Sequence, residues 1–160
     1  MIRSLLIASA FLLGALPALA ASAVAVPTPT GKISITGDSF VVDDATHQAT
    51  FTGSVFVDHP EIKVNADKVV AFYGQGGASN ITNFEATGNV KIVTKDQTAT
   101  GEKAVFDPKT HVLRLTGNVI VVGSTGRVRA PELVVDLKKK TSEFSSGKTG
   151  GRVTGVFTSQ

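Results

Sequence analysis

Phe51-Thr52-Gly53-Ser54-Val55-Phe56-Val57 recurs as Ala86-Thr87-Gly88-Asn89-Val90-Lys91-Ile92 and again as Leu115-Thr116-Gly117-Asn118-Val119-Ile120-Val121. In every copy an apolar residue stands two before, two after and four after the Gly. That spacing has period two, which belongs to a strand with one buried face. The return of the same Gly with the same flanks means that the chain stacks a β unit on itself. Gly weakens a strand interior, so its place here marks a bulge or sharp bend. Bends at matching offsets would curve the whole sheet.

A second strand type follows each copy. Fifteen residues on from Gly53, Gly88 and Gly117 stand Lys68, Lys103 and Glu132, within Ala66-Asp67-Lys68-Val69-Val70, Gly101-Glu102-Lys103-Ala104-Val105 and Ala130-Pro131-Glu132-Leu133-Val134. The same type opens the series as Gly37-Asp38-Ser39-Phe40-Val41-Val42-Asp43. Laid without gaps, residues 37–57 match residues 101–121 at nine of 21 positions. The unit is therefore strand, turn, strand, turn, with turns of composition Gly74-Gln75-Gly76-Gly77-Ala78-Ser79-Asn80 or Asp107-Pro108-Lys109-Thr110.

Alternation assigns an inward face. In the Thr-Gly strands it holds Phe51, Val55 and Val57, then Phe84, Ala86, Val90 and Ile92, then Leu113, Leu115, Val119 and Val121. In the second strands it holds Phe40 and Val42, Val64 and Val69, Ala104 and Phe106, then Leu133, Val135 and Leu137. Thr50, Thr52, Glu85, Thr87, Lys91, Arg114, Thr116 and Asn118 fall on the other face. One apolar and one polar face suit an antiparallel sheet folded over a core. The expected fold is all-β. Its first strand is read at Lys32–Thr36 and its last at Arg152–Phe157, after a polar, Gly-rich stretch from Lys138 to Gly151.

Ahead of the strands, Arg3 precedes an uncharged apolar run from Leu5 to Leu16, and Ala18-Leu19-Ala20 and Ala21-Ser22-Ala23 both fit an A-x-A cleavage pattern. Residues 1–20 therefore read as a secretory signal peptide cleaved after Ala20 or Ala23. Residues 21–32 form a Pro-punctuated leader, and residues 33–157 one β domain. An exported chain without Cys relies on its core alone. Past residue 20 there are 21 Val and 18 Thr against 4 Leu, which favours strands over helices. The net charge of +3 is a small excess, with only Lys138-Lys139-Lys140 clustered. A nucleic-acid partner, which needs clustered cations and stacking aromatics, is not expected.

No catalytic constellation emerges. His47 and His111 occupy equivalent Asp-x-x-x-His turns, so turn geometry explains them better than a metal site. Asp43, Asp107 and Asp136 repeat at strand ends, as turn formers do, whereas catalytic carboxylates form an asymmetric pair. There is no Cys nucleophile and no G-x-S-x-G elbow. Neither a metal nor a cofactor is expected, nor enzymatic activity. Lys63, Lys91, Arg127 and Arg129 take polar positions near strand ends, facing solvent or lipid phosphates. Periodicity leaves two readings of the apolar face open. It is either the closed, dry core of a structural β-repeat, as in an envelope scaffold or adhesin, or an open interior that takes a lipid.

Thr-Gly-Asn-Val at 87–90 and 116–119, Ala66-Asp67-Lys68-Val69, Gly101-Glu102-Lys103-Ala104-Val105-Phe106-Asp107 and the closing Gly151-Arg152-Val153-Thr154-Gly155-Val156-Phe157 come in an order that resembles the OstA/LptA family of periplasmic lipopolysaccharide-transport proteins. The resemblance covers residues 33–157. It implies an antiparallel β-jellyroll, an open and twisted V of sheets with an apolar interior. It implies a periplasmic protein that shields lipid A acyl chains in a groove between the inner and outer membranes. The implied partners are lipopolysaccharide, an inner-membrane transporter component and an outer-membrane assembly receptor of the same fold, met through edge strands, together with head-to-tail self-association. The lipid-contacting residues it implies are Ile33, Ile35, Phe40, Val42, Phe51, Val55, Val57, Val64, Val69, Phe84, Val90, Ile92, Phe106, Leu113, Leu115, Val119, Val121, Leu133 and Val135.

Overall fold

Ten antiparallel strands hydrogen-bond into one sheet in the computed structural model, which describes residues 33–60, 62–77, 80–148 and 150–158. The signal peptide and leader read from the sequence lie outside the described residues. The strands are β1 (Ser34–Thr36), β2 (Ser39–Asp43), β3 (Gln48–His59), β4 (Ile62–Tyr73), β5 (Ile81–Thr94), β6 (Gln97–Asp107), β7 (Val112–Gly123), β8 (Gly126–Asp136), β9 (Thr141–Ser145) and β10 (Thr154–Phe157). Their order is β1-β3-β4-β5-β6-β7-β8-β10, with β2 also on β3 and β9 also on β8. Six long strands thus form a meander, and each end of the sheet carries two short strands, one after the other along the last long strand. Every connection within the meander is local, as sequence neighbours in an antiparallel sheet prefer.

The Thr-Gly elements are the bulges of this sheet. Register shifts fall between Thr52 and Val55, between Thr87 and Val90, and between Thr116 and Val119. Each shift contains two consecutive left-handed residues: Gly53 and Ser54, Gly88 and Asn89, Gly117 and Asn118. Only Gly enters that region freely, and Asn tolerates it better than most residues. Two bulge residues face one residue of the neighbouring strand, so the strand bends and the ladder resumes.

The turns divide by end. At one end β5–β6 and β7–β8 join through two residues each, Lys95-Asp96 and Ser124-Thr125. At the other, Asp43, Asp107 and Asp136 each open a four-residue connection. Their Oδ1 atoms accept from the backbone N–H groups two and three residues on, at 2.7–3.2 Å. His47, His111 and Lys140 then take the left-handed position that closes each turn, with φ of 53°, 61° and 56°. The repeated Asp and His residues are turn residues.

The sequence misplaces some boundaries. Ile33 and Leu137 lie just outside strands, about half exposed. The polar stretch after Leu137 contains β9, whose Phe144 packs against the core. The last strand starts at Thr154, not at Arg152.

Candidate functional site: the apolar inner face

Three continuous rows of side chains cross the inner face. One runs Phe40, Phe51, Val69, Ala86, Ala104, Leu115, Leu133, Phe144, one residue from each of eight strands. On the far side of the bulges a second runs Ile35, Val57, Val64, Ile92, Ala99, Val121, Val128, Gly155. Outside the first row a third runs Val42, Ala49, Ala71, Phe84, Phe106, Leu113, Val135, Ser142. Residues opposite each other on one face of an antiparallel pair are in reach of contact, so each row is a strip of adjoining apolar groups.

Burial along these rows is graded. Val55, Val90, Leu115 and Val119 flank the bulges and are sealed, Leu115 and Val119 at 0% exposure. Val69, Ile92, Val121 and Leu133 are also buried. Gly101 lies in this zone because a Cβ there would stand 2.8 Å from Leu115 Cδ1. The core cluster takes residues from both sides of the bulges, so the two halves of each strand share one interior. Away from the bend Ile35, Phe51, Val57, Val64, Phe84, Phe106, Leu113 and Val135 are only half-buried. At the β2 edge Phe40 is 55% and Val42 51% exposed. Phe40 and Phe51 stack with ring centroids 4.3 Å apart. The expected inward set thus divides into a sealed bend and an accessible rim.

Sequence reasoning left out the small residues of the bend, Ala66 and Ala130, and the strand carrying Phe144. It also gave no role to the acidic residues over the bulges. Asn89 Nδ2 donates to Asp67 Oδ2 at 2.9 Å, and Asn118 Nδ2 donates to Glu102 Oε1 at 2.9 Å. An acid one residue before Lys68 and one before Lys103 was the available signal.

The outer face mixes Thr and charged residues with Val70, Val105 and Val134 and is cross-linked by charge. Lys103 pairs with Glu85 at 2.9 Å, and Arg114 pairs with Glu132, itself buried. Pairs as exposed as Lys103–Glu85 contribute roughly 0–1 kcal/mol, so they fix the face's polarity more than its stability. Among the described residues no group of His, Cys, Asp and Glu is placed to hold a metal ion.

Residues 34–141 match the family described as LptA/(LptD N-terminal domain) LPS transport protein. The chain belongs to this family. The match runs from β1 to the first residue of β9, across every bulge and all of the meander. Among curated proteins, an uncharacterized protein of Rhizobium meliloti (strain 1021) is 28% identical over 127 residues, covering 76% of this chain and 68% of the relative. Among solved structures, the sheet is similar to that of LptH of Pseudomonas aeruginosa, described as the LptA homologous periplasmic component of the lipopolysaccharide transport device. The TM-score is 0.70 at 17% identity, over 82% of this chain and 98% of that one. At that identity the likeness concerns the fold: an antiparallel, open β-jellyroll.

Proposed function

We propose that this protein is a periplasmic lipopolysaccharide carrier whose inner face shields lipid A acyl chains on their way between the inner and outer membranes. The observation that carries the reading is the gradient of the inner face, sealed at the bulges and accessible at the rim, in a chain of a lipopolysaccharide-transport family. Phe40 and Val42 stand half exposed beside Phe51, and an acyl chain laid along this rim would meet apolar surface. Acyl chains laid against this rim would gain about 0.8 kcal/mol per buried CH₂. Sugars would stay in water on the open side. The reading assigns no chemical step to the chain.

The sheet ends supply the partners in this reading. β1 and β2 at one end and β9 and β10 at the other each pair on one side only, among the described strands. Exposed edges are normally blunted. Here they suit strand addition, with backbone hydrogen bonds for affinity. Their occupants would be further copies of this chain, head to tail, and same-fold domains of an inner-membrane transporter component and an outer-membrane receptor.

Photo-crosslinking separates the inner face from the outer. Crosslinkers at Phe51 and Leu113 are expected to capture lipopolysaccharide in cells, and those at Thr52 and Arg114 to capture none. Crosslinkers at sealed Val90 should label far less than the rim. Equal labelling of both faces removes the groove. Absence of label and of co-purifying lipid leaves the closed structural repeat.

A further inference from the structure

The outer face is not uniform across the bulges. On the half bearing β2 and β9, Lys68, Lys103 and Arg114 face Glu85, Glu132 and Glu143, with Asp43, Asp107 and Asp136 on outward positions at the strand ends beyond them. On the half bearing β1 and β10, the outward positions flanking the inner row hold Lys63, Lys91, Arg127 and Arg129 against Asp58 alone. Lys63 spends part of its charge on Asp58 at 3.7 Å. Lys91, Arg127 and Arg129 are exposed and pair with no carboxylate among the described residues. Asp96 sits beside Lys95 in the β5–β6 turn of this half, and Asp67 and Glu102 are engaged by Asn89 and Asn118 over the bulges.

The cations frame an uncharged strip. The outer rows read Lys91, Thr100, Ile120, Arg129 and Lys63, Val93, Thr98, Val122, Arg127, with Val156 of β10 beyond. Three strand spacings separate Lys91 from Arg129, about 14 Å. Val122 and Val156 are exposed between and beside the Arg residues. Beside Lys63, a shallow depression of about 390 Å³ is lined by Pro60, Ile62, Val93, Thr94 and Lys95. A headgroup-sized ligand would need converging cations. These are spread instead around an uncharged centre of Val, Ile and Thr, the pattern that suits a plane of phosphates over a hydrocarbon boundary.

We infer that the outer face of this half, framed by Lys63, Lys91, Arg127 and Arg129, docks on the surface of an anionic bilayer. Charge complementarity over the face supplies the attraction, with Ile120, Val122 and Val156 meeting the headgroup layer. The inference does not depend on the inner face holding lipid, since a chain with an empty groove would dock in the same way.

Flotation of the full chain with vesicles of phosphatidylcholine, alone or mixed with phosphatidylglycerol, tests it. The preference for mixed vesicles over phosphatidylcholine alone is the readout. Wild type should prefer mixed vesicles and lose the preference as salt rises. The variant Lys63→Gln/Lys91→Gln/Arg127→Gln/Arg129→Gln should lose most of it, roughly fivefold for each cation. A control, Lys68→Gln/Lys109→Gln/Lys138→Gln/Lys139→Gln, removes equal charge elsewhere and should keep it. These side chains are exposed, and circular dichroism checks that both variants fold. Three results overturn the inference: unchanged preference in the first variant, equal loss in the control, or abolition of binding by soluble glycerophosphate as complete as by salt, which would mean a headgroup site.

Discussion

Asp67 closes over Gly88. A Cβ at position 88 would stand 2.9 Å from Asp67 Cβ and nearer still to its Oδ2, while the same oxygen accepts from Asn89 Nδ2 at 2.9 Å. Glu102 covers Gly117 with its Cβ and Oε2, while its Oε1 accepts from Asn118 Nδ2. Asp38 covers Gly53 likewise, and its N–H donates to Thr52 O and Gly53 O at 3.0 and 3.1 Å. The bend of each Thr-Gly strand is thus covered by an acid, from the neighbouring strand at Gly88 and Gly117 and from the β1–β2 connection at Gly53.

Gly88→Ala is expected to destabilise the protein by about 1–3 kcal/mol, because Ala both strains at φ 80° and meets Asp67. Asp67→Ala in the same chain should return part of that loss, since it removes the carboxylate contacts and leaves the Cβ contact and the backbone strain. A double-mutant cycle in urea measures the coupling. Strict additivity of the two changes would show that Asp67 does not confine the bulge.

The repeat made the strand pairs, the bulge positions and most of the inner face legible, because period two and Gly placement are local properties. What stayed hidden depends on the ladder. Thr141-Ser142-Glu143-Phe144-Ser145 has one apolar residue and no alternation, so only its pairing with Glu132–Asp136 reveals a strand. Sealed and open positions were likewise indistinguishable. Leu115 and Leu113 alternate identically in sequence, yet one lies beside a bulge at 0% exposure and the other toward the rim. The acids over the glycines recur in the second motif, but only the ladder reveals which Gly each one covers. Family membership was legible in the order of motifs from Ala66 to Asp107 and Leu115 to Val119, where each short motif alone is common.

The gradient of burial predicts a gradient of mutational cost. Leu115→Ala should cost about 2–5 kcal/mol, the range for a buried large-to-small change. Phe51→Ala removes more carbon but from a half-buried site, and should cost less than Leu115→Ala. Urea unfolding of both variants compares them directly. An equal or larger loss at Phe51 would mean that the rim is packed shut in solution.

Acid should weaken the turns before it touches the core. Hydrogen bonds from Thr46 and Ala45 hold the Asp43 carboxyl below its ordinary value of 3.8; Thr110 and Lys109 do the same for Asp107, and Lys139 and Lys138 for Asp136. Each folded-state value is lower than the unfolded one, so the contribution is present above 3.8 and disappears as pH falls through the folded values. Stability measured by urea midpoint should therefore fall below about pH 4. The triple variant Asp43→Asn/Asp107→Asn/Asp136→Asn should start lower and lose less over that window. A wild-type and triple-variant profile of the same slope would remove the turns as the source.

The two ends of the sheet differ, which makes the mode of self-association testable. Val41 and Val42 are exposed on β2, and Val156 and Phe157 on β10, the last at 70%. Val41→Asp/Val42→Asp should block one end and Val156→Asp/Phe157→Asp the other, with little change in stability since all four side chains are exposed. If copies join head to tail, either variant alone should be monomeric in sedimentation analysis, because every junction needs one end of each kind. An equimolar mixture of the two should form dimers and nothing longer, since each partner contributes its single intact end. Dimers of one variant by itself would mean that like ends pair, and head-to-tail growth would be excluded.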